Sequence, residues 1–244
     1  MRRFYAPKEN FSNHKITLSL EETRHLRDVL RLLAGAKVHI FEGQGREFLC
    51  EIETIEKKAT VLKIIEEIAP TAPESDLDLT LAVALLKGEK FDLVIQKAVE
   101  LGVTKFVPVN TKRSDVKLKE VERKLERWQK IALEAAKQSG RAKLMPIEMP
   151  QDFALFLKNS ASQLLSGENF ILFAERNGES FDSIKADKKI TAFVGSEGGW
   201  EDSEIESAKA LGVQIVTLKG RILRAETAVI TIAGLLQNHF GDLS

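Results

Sequence analysis

Residues 190–204 read ITAFVGSEGGWEDSE, and this stretch decides the class of fold. Its first five residues, Ile190 to Val194, predict a buried strand, and the acidic run from Glu201 is typical of a helix start. Gly195, Gly198 and Gly199 lie between the two, where they let the backbone approach a ligand closely or adopt positive φ. A strand that turns directly into a helix is the repeating unit of an α/β sheet.

The same alternation of strands and helices continues on both sides of this stretch. Helical spacing of apolar residues runs from Phe91 to Leu101, where Gly102 follows, and again from Val121 to Ala135. We therefore expect an α/β domain with a mostly parallel sheet over residues 76–244, with ligands bound beyond the carboxyl ends of its strands. Its other predicted strands are 79–86, 106–109, 144–147, 170–173 and 213–218.

The first 70 residues have a different, strand-rich pattern. Residues 38–41 are apolar, 43–45 form a turn, and from 48 to 53 apolar and other side chains alternate as in a half-buried strand. One helix is predicted over 21–32, and we expect a small β-barrel over residues 1–70. The segment 69–75, which contains Pro70 and Pro73, is a plausible linker to the second domain. The predicted apolar side of the helix consists of Leu26, Val29, Leu30 and Leu33.

Composition excludes several classes of protein. The 244 residues include 36 basic and 36 acidic side chains, so a globally basic nucleic-acid binder is not indicated. A local basic excess at 105–143 is either solvated helix surface or a phosphate-binding face. The single cysteine, Cys50, excludes an internal disulfide, and the four histidines lack metal-ligand spacing, so no metal site is expected. Without a long apolar run or a signal peptide, we expect a cytoplasmic protein that does not use a membrane.

A second segment that can carry chemistry runs from Leu218 to Ala228, between the last strand and an apolar helix. Arg224 and Glu226 either form an ion pair at the helix start or place an arginine near a polyanion or a developing oxyanion. The chain has no P-loop and no G-x-G-x-x-G motif. The acids after the glycines would repel a phosphate, which predicts an uncharged or cationic ligand. The alternative is a tight turn without a ligand.

Several ordered motifs together carry a resemblance that covers nearly the whole chain. The chain resembles the ribosomal RNA small subunit methyltransferase E family, within the SPOUT superfamily of S-adenosylmethionine-dependent RNA methyltransferases. The motifs are 2–5 (RRFY), 25–31 (HLRDVLR), 87–90 (KGEK), 96–103 (QKAVELGV), 111–114 (TKRS), 134–141 (EAAKQSGR), 194–199 (VGSEGG) and 221–228 (RILRAETA).

The resemblance implies a PUA-like or OB-like barrel that helps to hold RNA and a C-terminal domain with a deep trefoil knot. It also implies a homodimer that uses S-adenosylmethionine to methylate N3 of one uridine in 16S ribosomal RNA, either as free RNA or in the small ribosomal subunit. Uridine N3 must lose its proton before it becomes a good nucleophile, and an arginine would stabilise the charge left on O2 and O4.

The site residues that follow from the resemblance form three groups. The catalytic candidates are Arg113, Arg141, Arg224, Glu197 and Glu226, of which the arginines are not ranked and either glutamate takes the proton or orients an arginine. The cofactor-binding candidates are Phe173, Val194, Gly195, Glu197, Gly198, Gly199, Leu218, Gly220, Leu223, Ala225 and Thr227. The RNA-binding candidates are Arg2, Arg3, Arg27, Arg31, Lys87, Arg113 and Arg141.

Two positions depart from the pattern of the family. Ser196 stands where the family usually has proline, and the glycine of the Lys219-Gly220-Arg221 segment is displaced by one residue. Two other classes of protein stay open on the sequence: a non-catalytic RNA- or ribosome-binding protein that kept the fold, and a nucleotide-dependent α/β enzyme of another kind.

Overall fold

The computed structural model describes residues 2–116, 121–160, 162, 164 and 168–243. The chain folds into two compact units. The first contains Met1–Glu74 together with Ala136–Leu144, and the second contains Ser75–Ala135 and Met145–Ser244. The segment 136–144, which the sequence analysis assigned to the second domain, therefore packs with the first.

The first unit is built on one six-stranded sheet. Its strands are β1 (Arg3–Tyr5), β2 (Phe11–Ser12), β3 (Lys15–Leu18), β4 (Lys37–Phe41), β5 (Glu47–Ile55) and β6 (Thr60–Ile68). They follow the order β1-β4-β5-β6-β3-β2, in which β1 and β4 are parallel and the other pairs antiparallel. The small barrel predicted for residues 1–70 is thus a half-barrel, with β1 and β2 at the edges. The predicted alternation in β5 is confirmed, since Phe48, Cys50 and Ile52 are buried and Glu51 and Glu53 are exposed.

The helix predicted over 21–32 is shorter and changes type. Helix α1 (Leu20–Arg24) is followed by one turn of π-helix, His25–Val29. A π turn rotates the following residues away from the face that 3.6-residue periodicity assigns to them. Leu26 is buried, but Val29 is 68% exposed and Leu33 is 76% exposed, so the prediction that these two side chains face the core was wrong.

A polar cluster holds the returning segment 136–144 in the first unit. The Arg3 guanidinium forms a 3.0 Å ion pair with the buried carboxylate of Glu47 and donates to the carbonyl oxygens of Ala136 and Arg141. The Arg141 guanidinium in turn pairs with Glu74 at 2.7 Å. Hydrogen-bonded, charge-compensated groups of this kind are what make buried charges tolerable.

The second unit is an α/β sheet of six parallel strands. Its strands are β7 (Asp78–Ala84), β8 (Lys105–Asn110), β9 (Gln151–Asp152), β10 (Asn169–Phe173), β11 (Lys189–Val194) and β12 (Gln214–Val216), in the order β12-β10-β11-β7-β8-β9. Its helices are α2 (Lys90–Glu100), α3 (Val121–Ser139), α4 (Phe153–Asn159), α5 (Asp202–Ala210) and α6 (Ala225–Phe240), and the last turn of α3 packs with the first unit. The predicted parallel sheet is confirmed.

One predicted strand of this sheet is not formed. Residues 144–147 make only an isolated bridge between Ile147 and Phe106, and the edge strand β9 lies further along the chain. The reason is that Leu144 belongs to the first unit, where its N–H donates to the carbonyl oxygen of Gly43. Apolar composition predicted burial here correctly but did not predict the strand.

Candidate active site

A cavity of about 560 Å³ lies at the carboxyl ends of three neighbouring strands in the second unit. Strand β10 ends at Phe173, β11 ends at Val194, and β12 is followed by Leu218, and all three residues line the cavity. Ligands in parallel α/β sheets bind at this edge, because the loops that leave the strands converge there. We call residues 195–200 the glycine loop and residues 218–224 the arginine loop.

The glycine loop leaves little room for a side chain at its three glycines, and at Gly199, where φ is +68°, a Cβ would lie 2.8 Å from a carboxylate oxygen of Glu175. A Cβ at Gly195 would lie 3.1 Å from the indole nitrogen of Trp200, which itself donates to the carbonyl oxygen of Phe173 at 2.9 Å. A Cβ at Gly198 would lie 3.0 Å from the Cβ of Arg113. The glycines therefore let the loop pack closely against Trp200 and against the segment that follows β8.

Two arginines hold the same loop from outside the cavity. The Arg113 guanidinium donates to the carbonyl oxygen of Gly198 and pairs with Glu201 at 2.7 Å. The Arg176 guanidinium pairs with Asp202 at 2.6 Å and lies 3.4 Å from the carbonyl oxygen of Trp200. Charge-assisted hydrogen bonds of this type fix a loop more firmly than neutral ones do. Both arginines thus act on the shape of the loop.

Ser196 makes a contact that proline in its place would lose. Its hydroxyl donates to the carbonyl oxygen of Arg113 at 3.1 Å, and its side chain is buried. The hydroxyl therefore ties the glycine loop to the segment that follows β8.

The arginine loop forms the opposite wall of the cavity. Leu218 and Leu223 are half-buried, whereas Ile222 is 89% exposed. Within the described part of the chain, no backbone N–H from 218 to 224 donates to another backbone group. Backbone groups that the fold leaves free are available to a ligand or to water.

One lysine lies between two carboxylates of the site. The ammonium of Lys90, at the start of α2, is 3.1 Å from a carboxylate oxygen of Glu197 and 3.5 Å from one of Glu226. The hydrogen bond to Glu197 raises the pKa of Lys90. Burial alone would raise the pKa of Glu197, but hydrogen bonds from its own N–H and from Lys90 outweigh this, and its pKa is lowered. Glu197 is thus ionised and paired at neutral pH.

Of the predicted cofactor-binding residues, Thr227 is exposed in the first turn of α6 and does not line the cavity. The cavity is lined by the others: Phe173, Val194, Gly195, Glu197, Gly198, Gly199, Leu218, Gly220, Leu223 and Ala225.

The three candidate arginines lie in three different environments. Arg224 lines the cavity, and its guanidinium makes no ion pair or hydrogen bond with the described residues, so the alternative of an ion pair with Glu226 is not observed. Arg113 braces the glycine loop from outside the cavity lining. Arg141 is buried in the first unit against Glu74. Of these three arginines, Arg224 is the one that lines the cavity.

The predicted RNA-binding residues are also unequal in exposure. Arg2 and Arg31 are exposed, and Lys87 is exposed while it pairs with Asp115 at 2.7 Å. Arg27 pairs with the neighbouring Asp28, and Arg3 is largely buried against Glu47. Lys87, Arg27 and Arg3 would each have to give up a carboxylate partner before binding a phosphate.

Several cavity residues were not predicted from the sequence. Lys90, Trp200 and Arg221 line the cavity, and Arg176 braces its rim. Lys90 belongs to the KGEK motif at 87–90, so the motif itself was the available indication. Trp200 closes the quoted glycine stretch, where an aromatic residue directly after the glycines indicated packing against them.

The comparisons with known proteins agree with this geometry. Residues 73–237 match the family described as RNA methyltransferase domain, and residues 19–65 match the RNA methyltransferase PUA domain. Two curated relatives are called ribosomal RNA small subunit methyltransferase E. The relative from Synechocystis sp. is 34% identical, and the match covers 93% of this chain and 74% of the relative. The relative from Aquifex aeolicus is 30% identical, and the match covers 98% of this chain and 100% of the relative.

A solved structure extends the agreement to three dimensions. The crystal structure of a ribosomal RNA small subunit methyltransferase E from Neisseria gonorrhoeae, bound to S-adenosyl methionine, matches with a TM-score of 0.90. It is 32% identical, and the match covers 100% of both chains.

The fold and site define an S-adenosylmethionine-dependent RNA methyltransferase with an added PUA domain. Within that class, the chain belongs to the ribosomal RNA small subunit methyltransferase E family. Among the described residues, no helix is long and apolar enough to cross a membrane, and no cluster of side chains suits a metal ion.

Proposed function

We propose that this protein transfers the methyl group of S-adenosylmethionine to N3 of a specific uridine in 16S ribosomal RNA. The observation that carries the proposal is the cavity at the ends of β10, β11 and β12, whose two walls are the glycine loop and the arginine loop. The proposed cofactor-binding residues are the ten predicted residues that line this cavity. Thr227 lies in the first turn of α6, and we propose that it contributes indirectly, through the position of that turn.

The residues present fit S-adenosylmethionine. Half-buried Leu218 and Leu223 offer apolar surface to an adenine ring, and the free N–H groups of the arginine loop suit its ring nitrogens. The helix that follows the glycine loop begins with Glu201 and Asp202, and Glu175 lines the cavity. Carboxylates in these places oppose a bound phosphate and tolerate a sulfonium cation. This chemistry separates the site from that of a dinucleotide or ATP.

The cofactor supplies an electrophilic sulfonium methyl group. The protein has to orient the uracil ring in line with that group and favour loss of the N3 proton. We propose that the unpaired guanidinium of Arg224 stabilises the negative charge that then develops on O2 and O4. Either Glu197 or Glu226 takes the proton, and both carboxylates are held by Lys90.

Arg113 and Arg141 have different proposed roles from Arg224. Because both are already paired with carboxylates, we propose that they shape the protein rather than contact the base. We propose that Arg2, Arg31 and Lys87 contact RNA phosphates, which is consistent with their exposure. We propose that Arg3 and Arg27, which are paired with Glu47 and Asp28, stabilise the fold beneath that surface rather than bind phosphates themselves.

We also propose that the substrate is 16S ribosomal RNA, alone or in the small subunit, and that the protein works in the cytoplasm as a homodimer. Support for dimerisation comes from α6, which buries Val229, Ile232 and Leu236 in its own unit and still leaves Leu235 exposed. A helix with apolar residues on more than one side has surface left for a second partner.

Mass spectrometry of nucleosides tests the proposal. The purified protein, S-adenosylmethionine and 16S RNA or small subunits from a strain that lacks the modification should yield 3-methyluridine. Calorimetry should detect binding of S-adenosylmethionine but not of NAD or ATP. Methylation at another position would refute the N3 assignment. Binding of RNA without any methyl transfer would identify a non-catalytic RNA-binding protein instead.

A further inference from the structure

The Lys90 ammonium joins two cavity walls that arise from different strand ends. Its first carboxylate partner, Glu197, belongs to the glycine loop after β11. Its second partner, Glu226, lies in the first turn of α6, directly after the arginine loop. Lys90 itself is the first residue of α2, so three separate elements meet at one positive charge.

Neither carboxylate has another strong cation partner among the described residues. One oxygen of Glu226 is buried without a hydrogen bond of normal geometry, and that oxygen is the one 3.5 Å from the Lys90 ammonium. Glu197 also receives a long, 3.4 Å contact from the backbone N–H of Lys87. The exposed fractions of the side chains are 35% for Lys90, 32% for Glu197 and 15% for Glu226, so the cluster is partly shielded from water.

We propose that Lys90 is a positioning residue that braces the glycine loop against the start of α6 and thereby keeps the cofactor cavity in its binding shape. The identity of the cofactor rests on the proposed function, whereas the brace rests on the contacts of Lys90 alone. Like charges disfavour each other, so removal of the shared cation leaves the two carboxylates unneutralised and removes the contact that joins the loops carrying them.

Helix α2 offers a matched control for this lysine. Lys97 has nearly the same side-chain exposure, 33%, and forms a 2.8 Å ion pair with Glu100. That pair joins two residues of one helix and touches no cavity loop. Lys97→Met therefore removes the same charge and the same kind of contact from the same helix without uncoupling the two walls.

The first measurement is the calorimetric affinity for S-adenosylmethionine and for S-adenosylhomocysteine. Lys90→Met should weaken both by about threefold to tenfold, since partly exposed charge-assisted contacts are lost from a ligand-binding wall. Lys97→Met should stay within about twofold of wild type, because the ion pair that it removes lies within one helix and contacts neither wall of the cavity. Lys90→Arg should recover part of the affinity, since arginine can still reach both carboxylates. A thermal melt of each variant identifies any that fail to fold.

The second measurement needs no cofactor. In an NMR titration of carboxyl-labelled glutamates, the Glu197 midpoint should rise in Lys90→Met and stay unchanged in Lys97→Met. The charged groups that face Glu197 are Lys90, Glu226 beyond it and the Lys87 side chain, so adding Glu226→Gln should reduce the rise. A smaller rise in the Glu197 midpoint would show that the charges of Glu197 and Glu226 interact once Lys90 is removed.

The outcomes separate the brace from the cofactor assignment. If wild-type protein binds neither sulfur compound, the proposed function fails, and the titration alone decides whether Lys90 couples the two carboxylates. If wild type binds them and Lys90→Met matches Lys97→Met in affinity and in the Glu197 midpoint, the brace is overturned. Weaker binding together with a raised midpoint supports it.

Discussion

Replacing Arg224 with alanine tests whether this arginine acts on the reacting base. In a purely structural role it would pair with Glu226 at the start of α6, but Glu226 is 3.5 Å from Lys90, and the Arg224 guanidinium has no partner among the described residues. Its side chain is exposed. The substitution therefore leaves no buried charge without a partner and opens no cavity in the core.

The two roles predict different magnitudes. Exposed substitutions that touch no special feature change the free energy of unfolding by about 0.5 kcal/mol or less. For a chain of this length, that corresponds to a change in Tm of about 2 °C or less. Loss of one preorganised donor to a developing oxyanion costs about 2.7–4 kcal/mol in the transition state, so methyl transfer should fall by roughly 10²–10³.

A single-turnover methylation assay with saturating cofactor and RNA measures the fall in methyl transfer, and a thermal melt measures the change in Tm. Calorimetry should give an S-adenosylmethionine affinity near that of wild type. Arg127→Ala serves as the control, because Arg127 is also exposed but pairs with Asp92 and does not line the cavity. A large fall in Tm combined with turnover near that of wild type would refute the catalytic role and assign Arg224 to the helix start.

Three further predictions follow from packing and charge. Gly195→Ala places a methyl group 3.1 Å from the Trp200 indole; overpacking should cost about 1–3 kcal/mol and lower Tm by roughly 2–12 °C, and an unchanged melt would contradict the packing. Burial raises the pKa of the Cys50 thiol to about 12, so a thiol reagent at about pH 8 should label only unfolded protein, and rapid native labelling would be inconsistent with burial. Burial alone would raise the pKa of Glu47, but hydrogen bonds from Arg3 and Thr71 lower it. Its stabilisation is therefore present above about pH 4.3 and lost as pH falls through the lowered pKa, so the Tm gap between wild type and Glu47→Gln should close in acid; a constant gap would argue against this.

Much of the fold was predictable because its periodicities are local. Alternation in β5 and apolar runs in β10 and β11 specify strands from neighbouring residues alone. The π turn at His25–Val29 was not predictable in this way, since its sequence fits an ordinary helix and only the observed exposure of Val29 and Leu33 reveals the rotation. The return of residues 136–144 to the first unit depends on Arg3 and Glu74, whose partners are distant in sequence.

The candidate site was predictable to a similar degree. The glycine spacing predicted one wall of the cavity and the RILRAETA motif predicted the other, because both are patterns of residues that are close together in the sequence. The sequence did not predict how the candidate arginines differ, since the difference depends on which guanidinium groups already have carboxylate partners. The Lys90–Glu197 contact joins residues 107 positions apart, so no periodicity or spacing rule could find it.

The first unit is made of two separate segments of the chain, so it cannot be completed until the second segment has been synthesised. Residue 74 leaves the ribosome well before residue 144, and at about 5–20 residues per second the interval is roughly 4–14 s. Until then Arg3 lacks the carbonyl oxygens of Ala136 and Arg141, and Glu74 lacks its guanidinium. The N-terminal sheet is synthesised before residues 136–144, so its last hydrogen bonds form only after two strands of the second unit, β7 and β8, and the helix α2 between them have been made.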